Sequence, residues 1–206
     1  MAKRDGRVLS CGQKSALRDH RWYCEGDSVL TPYLKPLWYW CGDKFVPTHC
    51  SPNTLTMMGL GCNMLTSLPL LYCCPTATEE VPRVLYVLCA AGVLLYQLMD
   101  ALDGHQARKV QDTPLEDAFD HGADSVSLVY LTMATCCALQ LGTNPFCMLV
   151  FCMTASAVFY VLHWKLYATG VFKYLWPFAE TEAQLAACLV FVTSAAIGPA
   201  VWNTEV

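Results

Sequence analysis

The run VLYVLCAAGVLLYQLMDALDGHQARKVQDTPLEDAFDHGADSVSLVYLTMATCCALQL, residues 84–141, decides the class of fold. It holds two apolar segments of membrane length, Val84–Leu102 and Ala123–Leu141, joined by a polar stretch. Asp100, Asp103, Asp120 and Asp124 stand at the inner margins of these segments. Carboxylates beside hydrocarbon are expensive to bury and by default mark a functional site. Asp100 and Asp103 are three apart, and Asp120 and Asp124 are four apart, so on helices each pair shares one face. Two such pairs facing each other make an all-oxygen cage for a hard divalent cation such as Mg²⁺ or Mn²⁺.

The rest of the chain has the same character. Of its 206 residues 55% are hydrophobic and 15% charged, well below the roughly 25% charge of an ordinary soluble domain. Five runs approach the ~20 apolar residues that a bilayer core requires: Leu55–Cys74, Val84–Leu102, Ala123–Leu141, Phe146–Val161 and Ala183–Val201. His163 and Trp164 can carry the fourth to an interface. Pro75 and Thr76, and then Gly142-Thr143-Asn144-Pro145, supply turn chemistry between runs. The expected fold is all-α, a polytopic membrane helical bundle of about five transmembrane helices.

The first fifty residues are polar, basic and aromatic, without the apolar core of a secretory signal. Trp22, Tyr23, Tyr33, Trp38, Tyr39 and Trp40 suit the headgroup level. This reads as an amphipathic interfacial helix or hairpin, which divides the chain into an N-terminal interfacial segment, 1–50, and a membrane domain, 51–206. With the N-terminus in the cytosol, all of the thirteen Lys and Arg residues except Arg83 fall on the cytosolic side. The thirteen cysteines show no zinc-type spacing. Most lie in or beside apolar runs, where cysteine serves as a small hydrophobe.

Between the acidic pairs, Gly104 allows close approach to the backbone and Ala107 keeps the same face small. Arg108 offers a planar fork suited to phosphate oxygens. Carboxylates for metal, a glycine for access and an arginine for phosphate together describe a diphosphate site. Ion pairing of Asp100 and Asp103 with Arg108 and Lys109 is the plainer reading. His121 and His163 are weaker candidates for chemistry. Glu182 either favours a helix N-terminus or assists the site.

Residues 100–124 resemble the signature of CDP-alcohol phosphotransferases, Asp-x2-Asp-Gly-x2-Ala-Arg followed after a spacer by Gly-x3-Asp-x3-Asp. Tyr23, Gly26-Asp27-Ser28, Ser51-Pro52-Asn53-Thr54-Leu55-Thr56, Phe119-Asp120-His121-Gly122, Gln140-Leu141-Gly142-Thr143-Asn144-Pro145, His163-Trp164 and Thr181-Glu182-Ala183-Gln184 resemble the eukaryotic choline/ethanolaminephosphotransferase branch, rather than one acting on inositol. The resemblance implies that Asp100, Asp103, Asp120 and Asp124 bind metal and that Asp124 also serves as general base. It implies that Gly104, Ala107 and Arg108 hold the CDP moiety with Asn53 at its edge. The implied enzyme transfers phosphoethanolamine or phosphocholine from CDP-ethanolamine or CDP-choline to diacylglycerol, releasing CMP. It would sit in the endoplasmic reticulum membrane with its site facing the cytosol. No nucleic-acid partner is implied, and a homodimer is an open option. Glu116 stands where the signature has glycine, and the chain is shorter than the family's eukaryotic members. The alternative expectation is therefore a truncated, catalytically inactive paralogue that binds or regulates a full-length phosphotransferase.

Overall fold

Apolar runs bounded by proline and glycine set the helix limits in the computed structural model, which describes residues 10–13, 15, 23–26, 28–110, 114–173 and 179–203. Lys3, Arg4, Arg7, Lys14, Arg18, Arg21, Trp22 and Asp27 lie outside the described residues, as does the side chain of Tyr23. From residue 31 onward the described α-helices are α1 Thr31–Phe45, α2 Pro52–Cys73, α3 Arg83–Val110, α4 Pro114–Ala138, α5 Pro145–Thr169 and α6 Glu180–Ile197. Two three-residue strands, β1 Tyr23–Glu25 and β2 Val171–Lys173, pair in parallel. They staple the N-terminal segment to the chain just after α5, helped by an ion pair from Lys173 to Glu25 at 2.5 Å.

Each expected span falls largely on a helix, but several ends move. Helix α3 runs past Leu102 to Val110, and α4 starts at Pro114 rather than near Ala123. No proline interrupts Asp103–Val110, and proline is at ease in a first helical turn. All four aspartates are therefore helical, as their spacing predicts. Helix α5 includes His163 and Trp164. It opens on Asn144, whose side chain accepts from Cys147 N at 3.2 Å, and closes on Gly170 at φ 69°. Helix α6 begins ahead of Ala183 and ends at Ile197, short of Val201, with residues 199–203 forming a 3₁₀ turn.

Helices α2, α3, α5 and α6 are each long and apolar enough to cross a membrane. Helix α4, of 25 residues, carries the remaining expected span. It packs chiefly along α2, and its buried Ser127, Thr132 and Thr135 face protein rather than lipid. The fold is that of an all-α polytopic membrane protein. Its core is the seam between α2 and α3, extended by α6 on one side and α4 on the other. Tyr86, Val93, Leu70 and Phe191 are fully buried there, beside Cys74, Cys89, Cys136 and Cys137. The described cysteines are free thiols. Asn63 Nδ2 donates to Ser127 O at 3.1 Å and to Ser127 Oγ at 2.5 Å, a polar tie between α2 and α4.

Helix α1 lies across one end of the bundle. Tyr33, Leu37, Trp40 and Phe45 are exposed on its outer face, while Gly42 meets Leu102 and His105 of α3. Helix α1 is thus amphipathic, and Trp38 and Tyr39, expected at the headgroup level, instead border a cavity inside the bundle.

The tightest crossing is at Gly92 of α3, where an added methyl group would overlap the Thr66 side chain of α2. Gly92→Val is expected to cost about 1–3 kcal/mol through overpacking. Its thermal midpoint in detergent should fall, and Thr66→Gly in the same chain should recover part of the loss. A midpoint unchanged by Gly92→Val would contradict this packing.

Candidate active site

Helices α3 and α4 touch each other little, because α2 packs against both and holds them apart. Their acidic faces meet across the gap. Asp100, Asp103 and Asp120 each offer one oxygen, and these oxygens lie within 4.8 Å of one another. Asp103 is buried, and the Thr56 hydroxyl from the first turns of α2 donates to its Oδ2 at 2.6 Å. Asp120 Oδ1 is buried with no hydrogen-bond partner. A buried carboxylate oxygen left unpaired is costly, and the donor set is all oxygen. These residues therefore fit a hard divalent cation.

Asp124, the fourth aspartate, borders the same cavity and accepts a hydrogen bond from the buried Tyr96 hydroxyl. That cavity has a volume of about 640 Å³. Its walls come from α3 and α4, from Lys35, Trp38 and Tyr39 of α1, from Glu180, Thr181 and Gln184 of α6, and from Phe172 of β2. A smaller cavity of about 100 Å³ is bordered by Asn53, Thr56, Ala107, Glu116 and Asp117. Asp103, Gly104, Arg108, Asp120 and His121 border both. At Gly104 a methyl group would meet only Arg108 Nη1, at 3.6 Å, so the missing side chain leaves the cavity side open.

The rim is held by α1. Arg108 Nη2 donates to the Tyr39 hydroxyl at 3.2 Å, with the guanidinium 5.7 Å from the Tyr39 ring centre. Tyr39 stacks on His105 at 4.3 Å. Asp43 pairs with Lys109 at 2.6 Å and with His105 at 2.9 Å. The hydrogen bonds from Lys109 and His105 hold the Asp43 carboxyl below its usual range. Among the described residues, therefore, the ion pair of Lys109 runs to α1 and not to Asp100 or Asp103. Gln106 Nε2 lies 3.2, 3.3 and 3.0 Å from the carbonyls of Pro47, Thr48 and Cys50, which fixes the entry to α2.

The histidines lie beside the aspartates. His121 packs edge to face on His163 at 4.7 Å and beside Phe172. His163 Nδ1 donates to the Phe159 carbonyl at 2.8 Å, which places a proton on Nδ1. Glu182 is a clasp: it accepts from Leu30 N at 2.8 Å and from Ala179 N at 2.9 Å, tying the start of α1 to the start of α6. The α6 carboxylate that borders the cavity is instead Glu180.

The structure places Asp100, Asp103, Asp120 and Asp124 around the gap, Gly104 and Arg108 between the cavities, and Asn53 and Ala107 on the smaller one, whereas Glu182 and His163 line neither. Sequence reading missed Thr56 and Tyr96 as partners of the aspartates, and the α1 and α6 walls. One signal for Tyr96 was present, since it stands one helical turn before Asp100.

A helical bundle whose acidic, arginine-bearing cleft lies at one end of membrane-length helices defines a class, and comparison with known proteins gives it a family. The profile of CDP-alcohol phosphatidyltransferase matches residues 49–204. Cholinephosphotransferase 1 of Gallus gallus is 41% identical over 199 residues, 96% of this chain and 59% of that protein. Cholinephosphotransferase 1 of Homo sapiens is 40% identical over 196 residues, 95% of this chain and 48% of that protein. An uncharacterized CDP-alcohol phosphatidyltransferase class-I family protein 2 of Dictyostelium discoideum is 32% identical over 172 residues, 83% of this chain and 41% of that protein. The chain belongs to the CDP-alcohol phosphatidyltransferase family. It spans about half the length of the curated relatives it matches.

Tyr96 and Asp124 are expected to be energetically coupled. In a double-mutant cycle with Tyr96→Phe and Asp124→Asn, the stability losses should fall short of additivity by about 0.5–3 kcal/mol. Additive losses in detergent melts would show that the pair does not act together.

Proposed function

We propose that this chain transfers phosphoethanolamine or phosphocholine from CDP-ethanolamine or CDP-choline to diacylglycerol, releasing CMP. The observation that carries this reading is the meeting of three carboxylate oxygens within 4.8 Å where two cavities share Arg108. Family membership and the named cholinephosphotransferase relatives support it.

In this reading Asp100, Asp103 and Asp120 hold divalent metal, with Asp124 contributing. A bound Mg²⁺ or Mn²⁺ supplies positive charge against the diphosphate. Gly104 and Ala107 leave room for the CDP moiety, Asn53 stands at its edge, and Arg108 pairs with phosphate oxygens. Asp124 takes the proton of the diacylglycerol hydroxyl, since a lipid alcohol is a poor nucleophile until a base removes it. The alcohol oxygen bonds to the phosphorus that bears the head group, and the bond from that phosphorus to the CMP oxygen breaks. The Tyr96 hydroxyl positions Asp124. His121 is a second candidate for the base, because it borders both cavities whereas Asp124 borders the larger alone.

Lys35 and Arg108 border the larger cavity and Lys109 pairs with Asp43 at its rim, which supports a site facing the cytosol; the endoplasmic reticulum is the membrane we assign. Helix α1 falls within the proposed interfacial segment 1–50, and α2 opens the proposed membrane domain 51–206. Glu116 borders the smaller cavity beside Asp117 and brings negative charge to the nucleotide side. That placement favours, as the alternative, an inactive paralogue that binds a full-length phosphotransferase. The purified chain separates the two: metal-dependent CMP release from the chain alone supports the enzyme, whereas no turnover together with co-isolation of another phosphotransferase supports the regulator.

Two further outcomes are expected. Titration with Mn²⁺ followed by electron paramagnetic resonance should show binding that Asp120→Ala abolishes. Thr56→Val should weaken it about ten- to hundredfold, the usual cost of losing the partner behind a metal ligand. Binding indifferent to both changes would remove the metal site. Asp124→Asn should lower turnover by about 10²–10⁴-fold while CDP-alcohol binding persists. If His121→Ala does so instead and Asp124→Asn does not, the base is His121.

A further inference from the structure

The larger cavity has a wall that the transfer reaction leaves without a task. Asn53 and Ala107 border the smaller cavity alone, and Asp103, Gly104 and Arg108 border both. A CDP-alcohol is linear, with nucleoside at one end, diphosphate in the middle and alcohol at the other. With its diphosphate at the shared border and its nucleoside toward Asn53, the alcohol projects into the larger cavity. There it meets the first turns of α6, at Glu180 and Gln184.

We infer that Glu180 and Gln184 recognise a small organic ammonium head group, and so set which CDP-alcohol this chain accepts. The inference rests on the transfer reading above. Among the described residues, Glu180 is the one carboxylate bordering the larger cavity that does not belong to the aspartate set. Gln184 lies one helical turn further along α6, on the same face. It is 8% exposed, and its Oε1 is buried without a hydrogen-bond partner. A buried amide oxygen in that state calls for a donor or a cation. The flank of Gln184 is already set: Thr181 O accepts from Gln97 Nε2 at 3.3 Å, and Thr181 Oγ1 lies 3.1 Å from Thr31 Oγ1. The wall therefore presents acceptors. Trp38 and Phe172 add aromatic surface to the same cavity, a setting in which organic cations are favoured. Lys35 and Arg108 are the cavity's own cations, from α1 and α3. Asp100, Asp103, Asp120 and Asp124 border the same cavity and add to its negative charge. A neutral or anionic alcohol would leave this wall unmatched.

The test compares CDP-ethanolamine, CDP-choline and CDP-glycerol as donors to diacylglycerol, with KM and kcat measured separately. The wild-type chain should prefer both cationic donors to CDP-glycerol. Glu180→Gln should shrink that preference on the order of ten- to hundredfold, mainly through KM, as expected for loss of one charge-assisted contact. Glu180→Asp, which keeps the charge, should retain part of it. Gln184→Leu should weaken CDP-ethanolamine more than CDP-choline, because only the ethanolamine ammonium has N–H donors. Equal loss with all three donors, or an unchanged preference, would overturn the assignment. Calorimetric binding of the same three compounds keeps the two readings apart. A cation preference that Glu180→Gln removes, without turnover by the wild type, sinks the transfer reading and keeps this one. Turnover whose donor preference ignores Glu180 does the reverse.

Discussion

Three carboxylates whose oxygens come within 4.8 Å of one another repel strongly wherever water is scarce. Nothing within α3 or α4 alone would bring them together. They meet because α2 grips both helices. Its close contacts with α3, at Gly59 against Met99 and at Thr66 against Gly92, place Thr56 under Asp103. Its Asn63–Ser127 tie fixes α4. The site is thus a by-product of helix packing on a third element, and the nearby donors, Thr56 to Asp103 and Tyr96 to the neighbouring Asp124, come from α2 and α3. What they leave unmatched, above all Asp120 Oδ1, is a demand for positive charge.

The parts legible in the sequence were those written at helical spacing. Asp100 with Asp103, and Asp120 with Asp124, share faces whatever surrounds them, and Arg108 follows on the same helix. Membrane character followed from apolar runs too long and too uncharged for a soluble fold. The polar stretch 103–122 is harder to place from sequence, because polarity marks exposed helix and loop alike. There the structure extends α3 to Val110 and begins α4 at Pro114.

Contacts between distant segments were not legible at all. Tyr39 reaches Arg108 across 69 positions, and Leu30 reaches Glu182 across 152. No local pattern announces either, so the α1 roof and the α6 wall came only from the structure. Glu182 is the instructive case. Its place at a helix start suggested two roles; the structure gives it the clasp and puts its neighbour Glu180 on the cavity. The two carboxylates are two positions apart, which on a helix turns them to different sides.

Helix α5 stands apart from this economy of shared contacts. Among the described residues none of its apolar stretch is fully buried, although Met148 and Cys152 pack against the core. Yet its end carries His163 against His121 and leads through Gly170 into Phe172, part of the cavity wall. The tilt of such a helix answers to bilayer thickness. Where such a helix spans a bilayer, any change in its tilt would reach the cavity through the short link from His163 and Gly170 to Phe172.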